Sequence, residues 1–217
     1  MERMHSMIPS YAKIRQAKRA SDDPEDLNAI LDAGLVGHVG FLSEGRPMVM
    51  PMAYARLGET LYIHGASKTR IAGLDGCAVC LTVTELTGLV IARSGFHHSV
   101  NYRSAVVHAT ARKVTGAEFE AALTAITDHL LPGRTAEIRP MTPQERKATG
   151  VVALDVLHAS VKQRSGPPVD DVKDLESGLW GGVVPVTTGL GAGVADAHTP
   201  EGAAEPDSLS AARRRFA

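Results

Sequence analysis

The chain has 217 residues, 44% of them hydrophobic, with 23 basic and 24 acidic residues and a net charge of −1. That is ample for one sizeable core and excludes disorder of the whole, while the balanced charge argues against a general nucleic-acid binder, which carries a basic excess. No apolar run reaches membrane-spanning length and Met1-Glu2-Arg3-Met4-His5 lacks a signal-peptide segment, so the cytoplasm is the expected compartment.

Three regions are expected: an N-terminal arm over 1–22, a domain over 23–185 and a flexible tail over 186–217. The arm is basic and polar, with Lys13, Arg15, Lys18 and Arg19. Asp23-Pro24-Glu25-Asp26 then reads as a helix start, with Asp as N-cap, Pro at the first helical position and carboxylates at the positive end of the dipole. Leu27, Ile30 and Leu31 share one face, and Gly34 supplies a stop.

Short strands follow. Residues 36–42 end at the hairpin turn Ser43-Glu44-Gly45-Arg46, and residues 47–54 return. Pro47 and Pro51 cannot donate to a ladder, which makes this second strand an edge or a bulged one. Further strands are expected over 60–64, 78–85, 89–93, 104–114 and 151–161, with a short helix over 68–74 and a turn at Leu86-Thr87-Gly88. A second helix opens at Thr115, with Phe119, Leu123, Ile126 and Leu130 at helical spacing, and Thr142-Pro143-Gln144-Glu145 starts a short third one. Beyond 184 the chain drifts into Gly, Ala, Thr and Pro, too little apolar surface to order itself. Six or more short strands in meander order point to a mainly β fold with inserted helices, an antiparallel β-barrel.

The two cysteines, Cys77 and Cys80, are spaced C-x-x-C. No second pair exists for zinc, and the strand that follows sends their side chains to opposite faces, so both are expected to be buried and structural.

Polar chemistry concentrates in a few stretches. His97-His98-Ser99-Val100-Asn101-Tyr102-Arg103-Ser104 places imidazoles, an amide, a phenol, a guanidinium and hydroxyls at a strand end, where an ordinary solvated connection competes with an anion-binding cluster. His64-Gly65-Ala66-Ser67-Lys68-Thr69-Arg70 joins a strand to a helix start and suits a terminal phosphate, against the plainer reading of a capped helix with exposed cations. A third stretch, Lys162-Gln163-Arg164-Ser165-Gly166, leads toward Trp180-Gly181-Gly182, whose lone tryptophan either stacks on a planar ligand or packs on protein. His38 lies between Gly37 and Gly40, which let another group approach the strand. No G-x-G-x-x-G, P-loop, H-E-x-x-H or G-x-S-x-G is present, and adjacent His97 and His98 diverge on extended backbone, so no metal centre is expected.

The combination of His64–Arg70, Gly88-Leu89-Val90-Ile91-Ala92-Arg93-Ser94, Asn101-Tyr102-Arg103-Ser104 and Trp180-Gly181-Gly182-Val183-Val184-Pro185 resembles flavoproteins related to pyridoxamine 5'-phosphate oxidase, in the branch grouped with nitroimidazole-resistance proteins. The resemblance spans about residues 23–185 and implies an FMN-binding split β-barrel that dimerises, with FMN between subunits. It implies that Thr69 and Arg70 hold the FMN phosphate, that Ser104 contacts the flavin, and that Met50, Pro51 and Met52 line the isoalloxazine ring. His64, Ser67, Lys68, Asn101, Tyr102, Arg103, Lys162, Arg164 and Trp180 complete the candidate cofactor contacts. Residues 48–54 hold neither Arg nor Lys, and the Arg-Leu-His-Asp-Arg substrate motif is absent, so the resemblance implies the flavin rather than pyridoxamine phosphate as ligand.

The leading expectation is an FMN-dependent oxidoreductase acting on a small molecule, with NAD(P)H as a candidate donor and His38 and His97 as candidate acid–base groups. A flavin sensor or carrier without turnover, and a haem-binding or haem-degrading barrel protein, stand beside it.

Overall fold

The computed structural model describes residues 9–216. The strands and helices are, in chain order, β1 (Ala20–Ser21), α1 (Pro24–Ala33), β2 (Val36–Ser43), β3 (Arg46–Leu57), β4 (Thr60–Ala66), β5 (Ala78–Ile91), β6 (Ser99–Lys113), α2 (Gly116–Leu130), α3 (Pro143–Ala148), β7 (Thr149–Arg164), α4 (Val172–Leu175), β8 (Gly182–Pro185) and α5 (Asp207–Arg215).

Local chemistry sets several of these boundaries. The Asp23 carboxylate accepts from the Glu25 amide at 2.8 Å with Pro24 next to it, and α1 ends where Gly34 N–H meets the Ile30 carbonyl. Glu44 (φ 53°) and Gly45 (φ 74°) both take the left-handed conformation that a tight hairpin between β2 and β3 requires. At α3, Thr142 and Glu145 form a reciprocal capping box: Thr142 Oγ1 accepts from the Glu145 amide, and the Glu145 carboxylate accepts from the Thr142 amide at 2.7 Å. Arg139 and this box pull the Glu145 pKa down to about 2.

The strand order is β1-β7-β4-β3-β2-β5-β6, with β6 also pairing β7 and β8 added to β5. The expected meander holds only within stretches of this path, because β4 pairs β7 and β5 pairs β2. Of the two expectations for β3, an edge or a bulged strand, the first does not hold, since β3 has neighbours on both sides. Its register with β4 runs only from Tyr54 to Leu57, so Pro47 and Pro51 sit before the paired stretch and cost no bond there. The expected turn at residues 86–88 is absent: β5 runs straight through. Gly88 serves close approach instead, since a Cβ there would lie 3.0 Å from Val183 and 3.3 Å from the Val184 carbonyl of β8.

The chain forms two compact units. Among the described residues, the first comprises those up to Met50 with Ala78–Ala109 and Val156–Thr187, and the second Pro51–Cys77, Thr110–Asp155 and those from Thr188 on. In the first, Ile30, Leu31, Val39, Leu81, Val83, Val90 and Val107 are buried, and Gly37 leaves room for Leu81. In the second, α2 lays Phe119, Ala122 and Ile126 against Ala55, Tyr62, Val114, Val151 and Ala153. Each large apolar side chain so buried is worth roughly 1.5–3 kcal/mol relative to exposure.

Of the expected N-terminal arm, residues 1–8 lie outside the described residues. The remainder is pinned: Ala12 is buried, and Ala20 and Ser21 pair with Lys162 and Val161 of β7. The expected flexible tail differs too. Residues 207–215 form α5, with Ala212 buried and the buried Ser208 donating both its amide (2.9 Å) and its hydroxyl (2.6 Å) to the Glu137 carboxylate. Cys77 and Cys80 are free thiols, both half-buried, and burial pushes the Cys80 thiol pKa up. No helix among the described residues is long and apolar enough to cross a membrane.

Candidate functional site

In the second unit, β4 carries the chain into the stretch from His64 to Arg70. His64, Gly65 and Ala66 stand opposite Val151, Gly150 and Thr149 of β7. The carbonyl of Ala66 accepts from the Thr69 amide at 3.0 Å and the Thr69 hydroxyl at 2.8 Å, closing a tight turn, and the Ser67 amide donates to the Ala148 carbonyl at 2.7 Å. Glycine is needed on both strands beneath it. A Cβ at Gly65 would lie 3.3 Å from Thr69 Oγ1, and one at Gly150 would lie 3.2 Å from the Ala72 methyl. The expected helix over 68–74 is therefore only a 3-10 turn, Arg70–Gly73. The amides of Ser67, Thr69 and Ala72 are spent inside the protein, which leaves fewer backbone donors at this turn than a full helix start would offer. The side chains remain. Ser67, Lys68, Thr69 and Arg70 are all exposed, and neither cation has an ion-pair partner among the described residues.

Next to this turn lies a cleft of about 600 Å³, whose walls include Ser67, Lys113, Thr115, Phe119, Lys147 and Thr149. Its other cation, Arg146, is ion-paired with Glu120. His64 is half-buried, its Nδ1 is buried without a hydrogen-bond partner, and burial pushes its pKa down, which favours the neutral imidazole.

In the first unit, the candidates on β6 and β7 are already engaged by protein. Arg164 donates to Asn101 Oδ1 and, at 3.2 Å, to the Pro167 carbonyl, while Asn101 Nδ2 donates to the Gly166 carbonyl at 3.1 Å. Together they fasten the turn after β7. Arg103 Nε bonds Glu85 at 2.5 Å, and Ser104 Oγ donates to the Lys162 carbonyl at 3.2 Å. Tyr102 and Lys162 are half-buried, and His38 is exposed on β2 opposite Thr82. On β3, Met50 and Met52 are half-buried and Pro51 exposed, on the stretch before the register with β4 begins.

A further cluster surrounds His97, and most of it escaped the sequence reading. The Asp170 side chain, 1% exposed, accepts from the Arg93 amide at 2.9 Å and Arg93 Nη1 at 2.8 Å. Those bonds hold the Asp170 carboxyl below the usual carboxylate range. His97 Nε2 lies 3.6 Å from Asp171, and the Phe96 ring meets the His97 ring edge-on at 5.0 Å. Gly181 is required here, because a Cβ would lie 2.5 Å from Arg93 Nη1. Trp180 folds over Gly182 yet stays 63% exposed, and Phe96 is 91% exposed. Val169, Val172, Leu175 and Leu179 are exposed along the same segment. Nothing in the composition of residues 169–171 announces that one of two adjacent aspartates is buried. No group of three or more His, Cys, Asp or Glu side chains among the described residues is placed to hold a metal ion.

Comparison with known proteins agrees with this architecture. The pyridoxamine 5'-phosphate oxidase family pattern matches residues 23–163. Among curated proteins no relative matches. Among solved structures, the flavocytochrome Anf3 from Azotobacter vinelandii is 33% identical, with 94% of this chain and 96% of that one covered and a TM-score of 0.86. The FAD and haem binding protein from Mycobacterium smegmatis is 34% identical, with 90% and 97% covered and a TM-score of 0.86. A Bacteroides thetaiotaomicron protein assigned to 5-nitroimidazole antibiotic resistance shares the fold at 19% identity, with 66% and 85% covered and a TM-score of 0.55. The chain belongs to the pyridoxamine 5'-phosphate oxidase family, and its mainly antiparallel β fold is the split barrel of that group's flavoproteins.

Proposed function

We propose that the protein is a flavin- and haem-binding oxidoreductase, drawing electrons from a reduced nicotinamide and passing them to a small-molecule acceptor. The observation that carries this reading is the likeness, at about one residue in three over nine-tenths of the chain, to a flavocytochrome and to an FAD and haem binding protein. When bound, the flavin supplies hydride and single-electron chemistry and the haem iron supplies one-electron chemistry.

The residues fit both groups. Ser67, Lys68, Thr69 and Arg70 offer hydroxyls and unpaired cations to one phosphate, and Lys113 and Lys147 in the adjoining cleft offer charge to a second. Two such cation pairs favour the diphosphate of FAD over the FMN expected from the sequence. His64, half-buried and favouring the neutral ring, would stand beside the flavin as a polar contact. For the haem, His97, with Asp171 3.6 Å from its Nε2, would supply the iron ligand, and the exposed Phe96, Val169, Val172 and Trp180 would supply the flat apolar contacts a porphyrin needs. His38 is then the remaining acid–base candidate. The exposed Leu42, Val49 and Leu157 favour a homodimer, because isolated sheet faces of this kind gain by being covered.

The absorbance spectrum of the purified protein, followed by release and identification of its cofactors, tests the reading. FAD with haem is expected. Flavin without haem, even after haem is added, would remove the haem half and the role of His97; FMN in place of FAD would remove the diphosphate argument; neither cofactor would overturn the whole.

A further inference from the structure

One face of the β6–β7 pair carries two histidines that play no part in the site above. β6 pairs with β7. Ser104 meets Lys162, Arg112 meets Asp155, and the Val114 amide meets the Val151 carbonyl. These contacts bracket an antiparallel register in which His108 stands opposite His158. On β6 the alternation is clear, with Ala105, Val107, Ala109 and Ala111 buried and Ser104, Val106, His108 and Thr110 half-buried on the other face; on β7, Val156, His158, Ser160 and Lys162 are half-buried, and Tyr11 touching both rings puts them on the same side. Directly opposed residues on one face have Cβ atoms about 4.5–5.5 Å apart. From that spacing two imidazoles can converge on one ion at the roughly 2.0–2.1 Å of a metal–nitrogen bond.

Neither ring has a hydrogen-bond partner among the described residues. The ring of Tyr11, from the segment before β1, packs edge-on against both, at 4.9 Å from His108 and 6.2 Å from His158. Burial and the neighbouring His158 both push the His108 pKa down, so the pair favours the neutral, ligating form of its rings. The carboxylates nearest in this register, Asp155 and Glu118, are both taken up by Arg112. An all-nitrogen donor set with no hard oxygen ligand selects against calcium and magnesium.

We propose that His108 and His158 form a two-imidazole site for a divalent transition metal of the zinc, copper or nickel class, with water in the remaining positions and Tyr11 as its cover. The site is independent of the haem assignment, since two side-by-side rings on one sheet face cannot approach an iron porphyrin from opposite faces.

Titration of the full-length protein with Cu²⁺ and with Zn²⁺ in a non-chelating buffer tests it, read by calorimetry and, for Cu²⁺, by electron paramagnetic resonance. One ion per chain is expected, with hyperfine coupling to two equivalent nitrogens, and with Tyr11 fluorescence quenched in the wild type but not in Tyr11→Leu. His108→Gln and His158→Gln should each weaken binding at least tenfold, and the pair together should abolish it, while the absorbance of bound flavin and haem is unchanged. Unaltered affinity in the double variant, coupling to a single nitrogen, or no binding by the wild type would each overturn the proposal. The spectrum of the wild-type protein settles the ligand set even if a variant folds poorly.

Discussion

Two groups of cations in this molecule look alike in the sequence and differ in what the fold has done with them. Arg112 bonds Glu118 through both terminal nitrogens, at 3.0 and 2.9 Å, and Asp155 at 2.9 Å; Tyr62 donates to the same Glu118 at 2.9 Å. Every strong acceptor within reach is used, and the consequences are visible in the ionisation: the Arg112 guanidinium holds the Glu118 carboxyl low, while desolvation and Glu118 push the Tyr62 phenol up. Asn101 and Arg164 are saturated in the same way by the turn after β7. At the turn after β4 the amides of Ser67 and Thr69 are satisfied, and the side chains of Lys68 and Arg70 have no ion-pair partner among the described residues. A cation already matched by protein stabilises the fold; one left unmatched beside a cleft has its binding energy available for a ligand.

That contrast is breakable by substitution. The largest effect is expected for Lys68→Ala with Arg70→Ala. Losing hydrogen bonds to a charged phosphate costs about 1.5–3 kcal/mol each, so flavin affinity should fall by more than tenfold in a titration, with chemical stability unchanged. Flavin binding at full strength would place the phosphate elsewhere. Asn101→Ala should behave in the opposite way. It strands the partners of a buried amide and should cost about 1–3 kcal/mol in urea unfolding, with little change in flavin affinity measured on the folded fraction. Arg103→Ala removes a partly exposed pair with Glu85, and a change below about 1 kcal/mol is expected. A large loss of flavin there would mean that Arg103 leaves Glu85 for the ligand.

The smallest effect is local and depends on pH. The Glu145 carboxyl is held at about 2 by Arg139 and by the amide of Thr142, below the roughly 4.3 of an unfolded glutamate. Because the folded value is the lower one, the capping contribution is complete above the unfolded value and is lost as pH falls from there through the folded one. Hydrogen exchange of the α3 amides should therefore lose its difference between wild type and Glu145→Gln across that window. A difference that persists undiminished well below the folded value would remove the ionised carboxylate from the cap.

What was legible in the sequence follows the range of the interactions. Asp23 and Thr142 announce helix starts because each cap bonds an amide two or three residues on. Glu44-Gly45 announces a hairpin because two adjacent residues carry the whole turn. The resemblance residues led to the right family, and the turn they mark is built as a turn. The failures are long-range. Gly88 reads as a turn until β8, nearly a hundred positions later, is seen lying against it. The segment 68–74 reads as a helix until Ala148 takes the Ser67 amide. The tail reads as loose until Glu137 takes Ser208 from 71 positions away. The buried member of the pair Asp170-Asp171 depends on Arg93, 77 positions earlier. Periodicity and capping see neighbours; they do not see which distant acceptor will be present.

The register of β4 against β7 carries a consequence for how the protein is made. Thr60 through Ala66 align with Asp155 through Thr149, so the strand holding His64 gains its second neighbour only when a segment some ninety residues downstream arrives. The β3–β4 hairpin can close early, yet the floor beneath the turn after β4, Gly150 against Ser67, cannot exist until that late closure. The entropy of closing so long a loop falls due before any contact rewards it, which places folding in the millisecond-to-second range typical of strand-dominated topologies rather than among fast helical folders. Cofactor capture should therefore be a terminal event in refolding: in a stopped-flow experiment, flavin quenching should lag behind the early backbone signal. Simultaneous traces would show that the binding turn assembles without its distant strand.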